Sequence, residues 1–226
     1  MAFRIFVAGG TGYLGRAVVP PLVARGHRVA MVVRPGSERR APSGAETVVG
    51  DPLDPSAYQL DPGDTLLLLV GTPHPAPWKA AQFEAVDLAA GGAAAAALAE
   101  QPVRHVVYLS VAQPAPVMRA YWGVRARVEA LLAVTGVPAT FLRPWYVLGP
   151  GHRWAALLAP LYWLAERLPA SRDAARRLGL VTLEQMVAAL VNAIESPPPA
   201  GTRVVDVPAI RAARPSALRR PMIASA

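Results

Sequence analysis

The sequence predicts an α/β fold: a doubly wound parallel sheet with helices on both faces. Two observations carry this. Short runs of β-prone, apolar residues alternate along the chain with stretches of helical length. The runs are apolar throughout rather than at every second residue, as strands covered on both faces are. With right-handed crossovers, that alternation gives a doubly wound sheet. The composition agrees: 226 residues with 53% apolar and 17% charged are enough for one core and too apolar for disorder.

The elements follow in order. Arg4–Ala8 reads as the first buried strand, and the glycines from Gly9 to Gly12 as a turn. Tyr13–Arg25 places Leu14, Val18, Leu22 and Val23 on one side of a helix that Gly26 ends. His27–Val33, Thr47–Val49 and Thr65–Val70 read as strands two to four. Phe83–Glu100 is an Ala-rich helix that Gly91-Gly92 should weaken. Strand Arg104–Ser110, helix Tyr121–Thr135 and strand Ala139–Leu142 complete the alternation. Beyond Gly149-Pro150-Gly151 the pattern changes: an aromatic-rich helix over Arg153–Leu168, a capping box Thr182–Gln185 opening helix Leu183–Glu195, and a last strand Arg203–Val207. The expected organisation is a core over 1–150, a short helical C-terminal cap over 151–210 on the same domain, and a basic, disordered tail over 211–226.

Several function classes are excluded. There is no cysteine, hence no disulfide, thiolate metal site or cysteine nucleophile. His27, His74, His105 and His152 have no metal-ligand spacing, so no metal is expected. The net charge of +8 would suit an anionic partner. The basic residues are spread along the chain, however, and all but Lys79 are arginine, a bias that a GC-rich genome produces unaided. No nucleic-acid partner is expected. Phe3–Ala8 is too short for a leader and Trp154–Ala165 too short to span a bilayer, so the expectation is a cytoplasmic protein.

The glycine turn carries chemistry. In Gly9-x-x-Gly12-x-x-Gly15, lying between a strand and a helix, Gly9 permits a tight turn. Gly12 lets backbone approach a pyrophosphate, and Gly15 lets the helix pack against the strand. The free amides and the helix dipole then attract phosphate. This makes the sheet Rossmann-type. Thr11, Tyr13 and Leu14 complete the expected contact loop. Nineteen residues beyond Gly15, where an acidic residue would hold a ribose hydroxyl, stands Arg34. A guanidinium suits a ribose 2′-phosphate, so NADP(H) is expected in preference to NAD(H), with Ser37, Arg39 and Arg40 nearby.

The stretch Val7-Ala8-Gly9-Gly10-Thr11-Gly12-Tyr13-Leu14-Gly15 resembles the fingerprint of the short-chain dehydrogenase/reductase superfamily. It is most similar to its extended and atypical members, the epimerase/dehydratase-like and NmrA-like NAD(P)-binding proteins. Gly50-Asp51-Pro52 is similar to the loop whose Asp holds the adenine amino group. Val106–Ser110 resembles the strand ending in the active-site Ser, and Leu142-Arg143-Pro144 through Gly151 the segment beside the nicotinamide. The segment from Leu180 through Val187 is similar to the lead into a late helix.

The resemblance implies a catalytic Ser, Tyr and Lys, the last two spaced to share one helix face. Here Ser110 and Tyr121 match, and Arg125 replaces the lysine. Arginine can supply charge beside a phenol but cannot relay a proton. An alternative has Arg125 simply pairing with Glu129 one turn on. Gly71 and Thr72, after the fourth strand, are expected beside the cofactor, and Pro144 beside the nicotinamide. His74 is a further acid/base candidate.

Trp78, Trp122, Trp145, Tyr146, Trp154, Tyr162 and Trp163 suggest an apolar or aromatic substrate. The implied activity is an NADP(H)-dependent oxidoreductase acting on a small, largely apolar carbonyl or alcohol. Epimerase or dehydratase chemistry uses the same apparatus. A nucleotide-binding sensor or accessory subunit without turnover is the alternative of another class. A homodimer through the Tyr121–Thr135 helix and contact of the Trp154–Leu168 helix with a membrane surface stay open.

Overall fold

The computed structural model describes residues 2–101, 103–151 and 176–214. The elements run β1 (Arg4–Ala8), α1 (Tyr13–Ala24), β2 (Arg28–Val33), β3 (Ala45–Val49), β4 (Thr65–Leu68), α2 (Ala89–Glu100), β5 (His105–Leu109), α3 (Arg119–Ala133) and β6 (Ala139–Leu142). They continue as β7 (Tyr146–Leu148), β8 (Leu180–Thr182), α4 (Leu183–Glu195), β9 (Thr202–Val205) and α5 (Val207–Ala212). Seven strands form one sheet in the order β3-β2-β1-β4-β5-β6-β9, with every pairing parallel. The order reverses between β1 and β4, which opens a crevice at the carboxyl edge. This is the expected Rossmann-type sheet.

Alternate residues of each strand feed two cores. Phe6, Leu66, Val106, Tyr108 and Phe141 face α2 and α3, which contribute Ala94, Leu98, Val128 and Leu132. Ile5, Val7, Met31, Leu67 and Val107 face α1 and α4, which contribute Val18, Leu22, Met186, Leu190 and Ile194. Burial of this kind stabilises by roughly 25 cal/mol per Å² of apolar surface.

Three local readings change. Gly91 is not a weak point of α2: a Cβ there would lie 2.5 Å from the Val128 methyls, so the glycine is what lets α2 and α3 approach. Val207 opens α5 instead of ending the last strand, because the Asp206 carboxylate accepts the Ala209 amide at 3.0 Å and Pro208 stands in the first turn. Residues 211–214, expected to begin a disordered tail, are placed in the fold: the Arg211 Nε donates to the Leu180 carbonyl at 2.9 Å. The rest of that tail and the aromatic-rich helix expected over Arg153–Leu168 lie outside the described residues.

Within the expected C-terminal cap, β9 adds the seventh strand beside β6 and α4 covers the sheet. Gln185 and Thr182 form the expected capping box, with the Gln185 amide donating to Thr182 Oγ1 at 3.1 Å. β7 and β8 pair as a separate two-stranded parallel sheet. No helix among the described residues is long and apolar enough to cross a membrane.

Candidate cofactor and active site

The glycine turn has the geometry its spacing implies. Gly9 sits at φ +94°, and a Cβ on it would come within 2.8 Å of the Leu69 backbone. Gly15 packs so close to the turn that a Cβ would lie 2.5 Å from the Gly10 carbonyl oxygen. Gly12 caps α1 in an extended conformation (φ −75°, ψ 178°) with no side chain on the first amides. A Cβ at Gly12 would meet only the Gly9 oxygen, at 3.2 Å, among the described atoms. The helix thus opens onto space at its positive end. The Tyr13 ring lies along this wall, its hydroxyl so close to Gly149 that any Cβ there would overlap it. Burial raises the Tyr13 phenol above its ordinary range, with Tyr146 adding to the effect.

The other expected contacts lie past strand ends on the same edge. Arg34 follows β2 and is exposed. Asp51 follows β3 and is exposed, its carboxylate accepting the Leu53 amide at 3.0 Å. Gly71 and Thr72 follow β4, Ser110 follows β5 and Pro144 follows β6. One parallel sheet brings them all to its carboxyl edge, the rim of the crevice.

At the centre of that edge lies Arg125. Its guanidinium is buried and meets the buried Asp87 carboxylate at 2.6 Å. It also donates to the Leu109 carbonyl at 2.8 Å and the Tyr108 hydroxyl at 3.2 Å. The Tyr121 ring lies 5.2 Å from the guanidinium carbon and packs on Phe83. Burial works against the Arg125 charge, but Tyr108, Tyr121 and Asp87 outweigh it and hold the group more firmly protonated than usual. Burial pushes the Tyr108 phenol far up, against the pull of Arg125. The pairing of Arg125 with Glu129 does not occur: Glu129 instead accepts from Arg143 Nε at 3.0 Å and from Gln113 at 2.9 Å.

Gly71 is glycine for a reason of its own, since a Cβ there would overlap the Arg125 guanidinium. Thr72 donates its hydroxyl to Asp87 at 2.6 Å and its amide to the same oxygen at 2.9 Å. The Ser110 hydroxyl is buried with no hydrogen-bond partner among the described residues. Such an atom carries a desolvation cost that a ligand or water would relieve.

A family described as NAD(P)H-binding matches residues 9–153. The chain belongs to the NAD(P)H-binding family. It is 49% identical over 47 residues to divinyl chlorophyllide a 8-vinyl-reductase of Oryza sativa subsp. indica, a stretch covering 21% of this chain and 12% of the reductase. Its fold is shared with solved structures of nucleotide-sugar epimerases. It superimposes on the UDP-N-acetylglucosamine 4-epimerase of Bacillus cereus with a TM-score of 0.65 at 16% identity, covering 91% of this chain and 76% of that one. It matches the Bordetella bronchiseptica enzyme WbmH, solved with NAD+, with a TM-score of 0.64 at 17% identity, covering 90% and 75%.

The residues of this NAD(P)H-binding protein fit a nicotinamide dinucleotide. The Gly12 cap leaves room for a pyrophosphate that a side chain would fill, and the orphaned Ser110 hydroxyl lies past β5 on the same edge of the sheet. The aromatic residues are divided. Trp78 is 83% exposed, the Trp122 indole donates to the Ala115 carbonyl at 3.1 Å, and Trp145 packs against the α1/α4 core. Trp154, Tyr162 and Trp163 lie outside the described residues. His74 is exposed. Sequence reasoning missed Asp87 and Tyr108. The signal for Asp87 was a carboxylate flanked directly by Val86 and Leu88 and followed by the alanines of α2, unlike Glu84 on the exposed side of the same turn. Asp87 sits in a π-helical turn, Phe83–Leu88, a distortion common at functional sites.

Proposed function

We propose that this chain is an NADP(H)-dependent oxidoreductase acting on a small carbonyl or alcohol. The observation that supports it best is the arrangement around Arg125. The carbonyl of Leu109, next to the orphaned Ser110, and the ring of Tyr121 both touch that guanidinium. A bound reduced nicotinamide would supply the hydride to the carbonyl carbon. Ser110 then donates a hydrogen bond to the carbonyl oxygen, and Tyr121 gives that oxygen its proton, leaving an alcohol. Arg125, fixed by Asp87, keeps positive charge beside the phenol as the tyrosinate forms. Arg34, exposed just past β2, supports the NADP preference because a guanidinium suits a ribose 2′-phosphate.

One observation favours a second reading, a cofactor-holding protein without turnover. One Nη of Arg125 is engaged by Leu109 and Tyr108 and its charge is paired with Asp87, so the guanidinium is committed to the protein fold, and its Nε is buried away from solvent. Tyr121→Phe separates the two. With NADPH and benzaldehyde or benzoquinone, the enzyme reading expects turnover to fall about a hundredfold or more while NADPH affinity holds. Turnover unchanged in that variant, or absent from the wild type across carbonyl substrates, would favour the second reading or another acid.

A further inference from the structure

We infer that the substrate carries an anionic group, a carboxylate or a phosphate, seated on Arg177 and Arg176. This rests on the reading that Ser110 receives the substrate carbonyl. A cavity of about 400 Å³ opens just past Ser110, within the size range of small-molecule sites. Its walls are Ala112 and Gln113 from the chain beyond β5, Arg143 beyond β6, Asp206 beyond β9, and the arginine pair. The β5–β6 ladder runs on past Ser110: the Ser110 amide donates to Leu142 at 2.8 Å and the Ala112 amide to Pro144 at 2.9 Å. Ala112 is therefore about 7 Å beyond Ser110.

The charges in this cavity are unequally satisfied. Arg143 is neutralised by Glu129, and Asp206 is engaged in capping α5. Among the described residues no carboxylate pairs with Arg176 or Arg177, and the Arg177 Nε is buried without a hydrogen-bond partner. A guanidinium in that state gains most from a charged acceptor, which it can grip with two parallel N–H donors. Val204 and Pro208 complete an apolar wall beside it. The cavity therefore suits an aryl or alkyl body ending in an anion, with the reactive carbonyl about 7 Å away.

The test is calorimetric binding to the NADP+-saturated full chain, which has no hydride to give the aldehyde probes, so it does not depend on turnover. The probes are para-formylbenzoate, para-formylphenyl phosphate and the neutral para-formylbenzamide. At least one anion should bind tenfold or more tightly than the amide, and the tighter of the two names the group. Arg177→Met should remove that preference while leaving amide and NADP+ binding unchanged. Arg177→Lys, a second variant should the first misfold, should retain part of it. Arg28→Met, at the exposed amino end of β2, should change nothing. Equal binding of anions and amide, or an anion preference that survives Arg177→Met, overturns the inference. If the anion preference stands while no variant of Ser110 or Tyr121 alters turnover, it is the catalytic assignment that fails.

Discussion

The carboxylate of Asp87 and the guanidinium of Arg125 meet at 2.6 Å, and both side chains are shut off from water. They come from different helical segments, and the contact ties those segments to the carboxyl ends of the central strands. Removing one partner of such a pair leaves a buried, uncompensated charge, which costs about 3–5 kcal/mol. Arg125→Met is expected to lose that much in urea unfolding. Asp87→Asn, which preserves an acceptor for Thr72, should also destabilise. The double variant should lose less than the sum of the two by about 1 kcal/mol or more, the signature of coupling.

Adjacent glycines of α2 should respond in opposite directions. A methyl at Gly91 collides with Val128, whereas nothing lies within 4 Å of one at Gly92. Gly91→Ala is expected to destabilise by about 1–3 kcal/mol through overpacking. Gly92→Ala should stabilise by up to about 1 kcal/mol, because alanine is the better helix former. Thermal unfolding midpoints check both.

The buried His105 makes stability depend on pH. Burial, then Arg203 and Arg104, lower its pKa from 6.5 to about 4. The unfolded chain therefore binds a proton that the folded chain refuses between these values. The stabilisation is complete above pH 6.5 and is lost as pH falls towards 4, by roughly 3 kcal/mol. In His105→Gln, which can still hydrogen-bond Thr140, urea unfolding should show that part of the pH dependence removed.

Arg34, exposed at the end of β2, should discriminate between cofactors. Arg34→Ser is expected to weaken NADPH binding about tenfold and leave NADH unchanged, as loss of a charge-assisted contact to a 2′-phosphate requires. Equal weakening of both would assign Arg34 a general role instead.

The sheet could be read from the sequence because each strand is a continuous apolar run, and Val29–Val33 or Leu66–Leu68 can be little else. The glycine turn was legible for the same kind of reason, since Gly9, Gly12 and Gly15 each answer a distinct steric demand. The three-residue strands Tyr146–Leu148 and Leu180–Thr182 were not, because they carry no period and pair across a long separation. The partner of Arg125 was hidden too. Helical spacing points to Glu129, four residues on, but the fold gives Glu129 to Arg143 and brings Asp87 from 38 residues away. Local periodicity cannot register such a pairing. The arginine pair next to Ala112 was equally invisible, because only the sheet edge brings residues 112, 143, 177 and 206 together.

The central claim is that α1 opens onto a bound dinucleotide at Gly12, and NADPH fluorescence titration of the wild type against Gly12→Val tests it most directly. The extended backbone at Gly12 admits valine, at a cost to capping of about 1 kcal/mol. The account predicts one-site binding to the wild type and affinity at least a hundredfold weaker in a variant that still unfolds cooperatively. NADPH bound equally well by a folded Gly12→Val protein would contradict it.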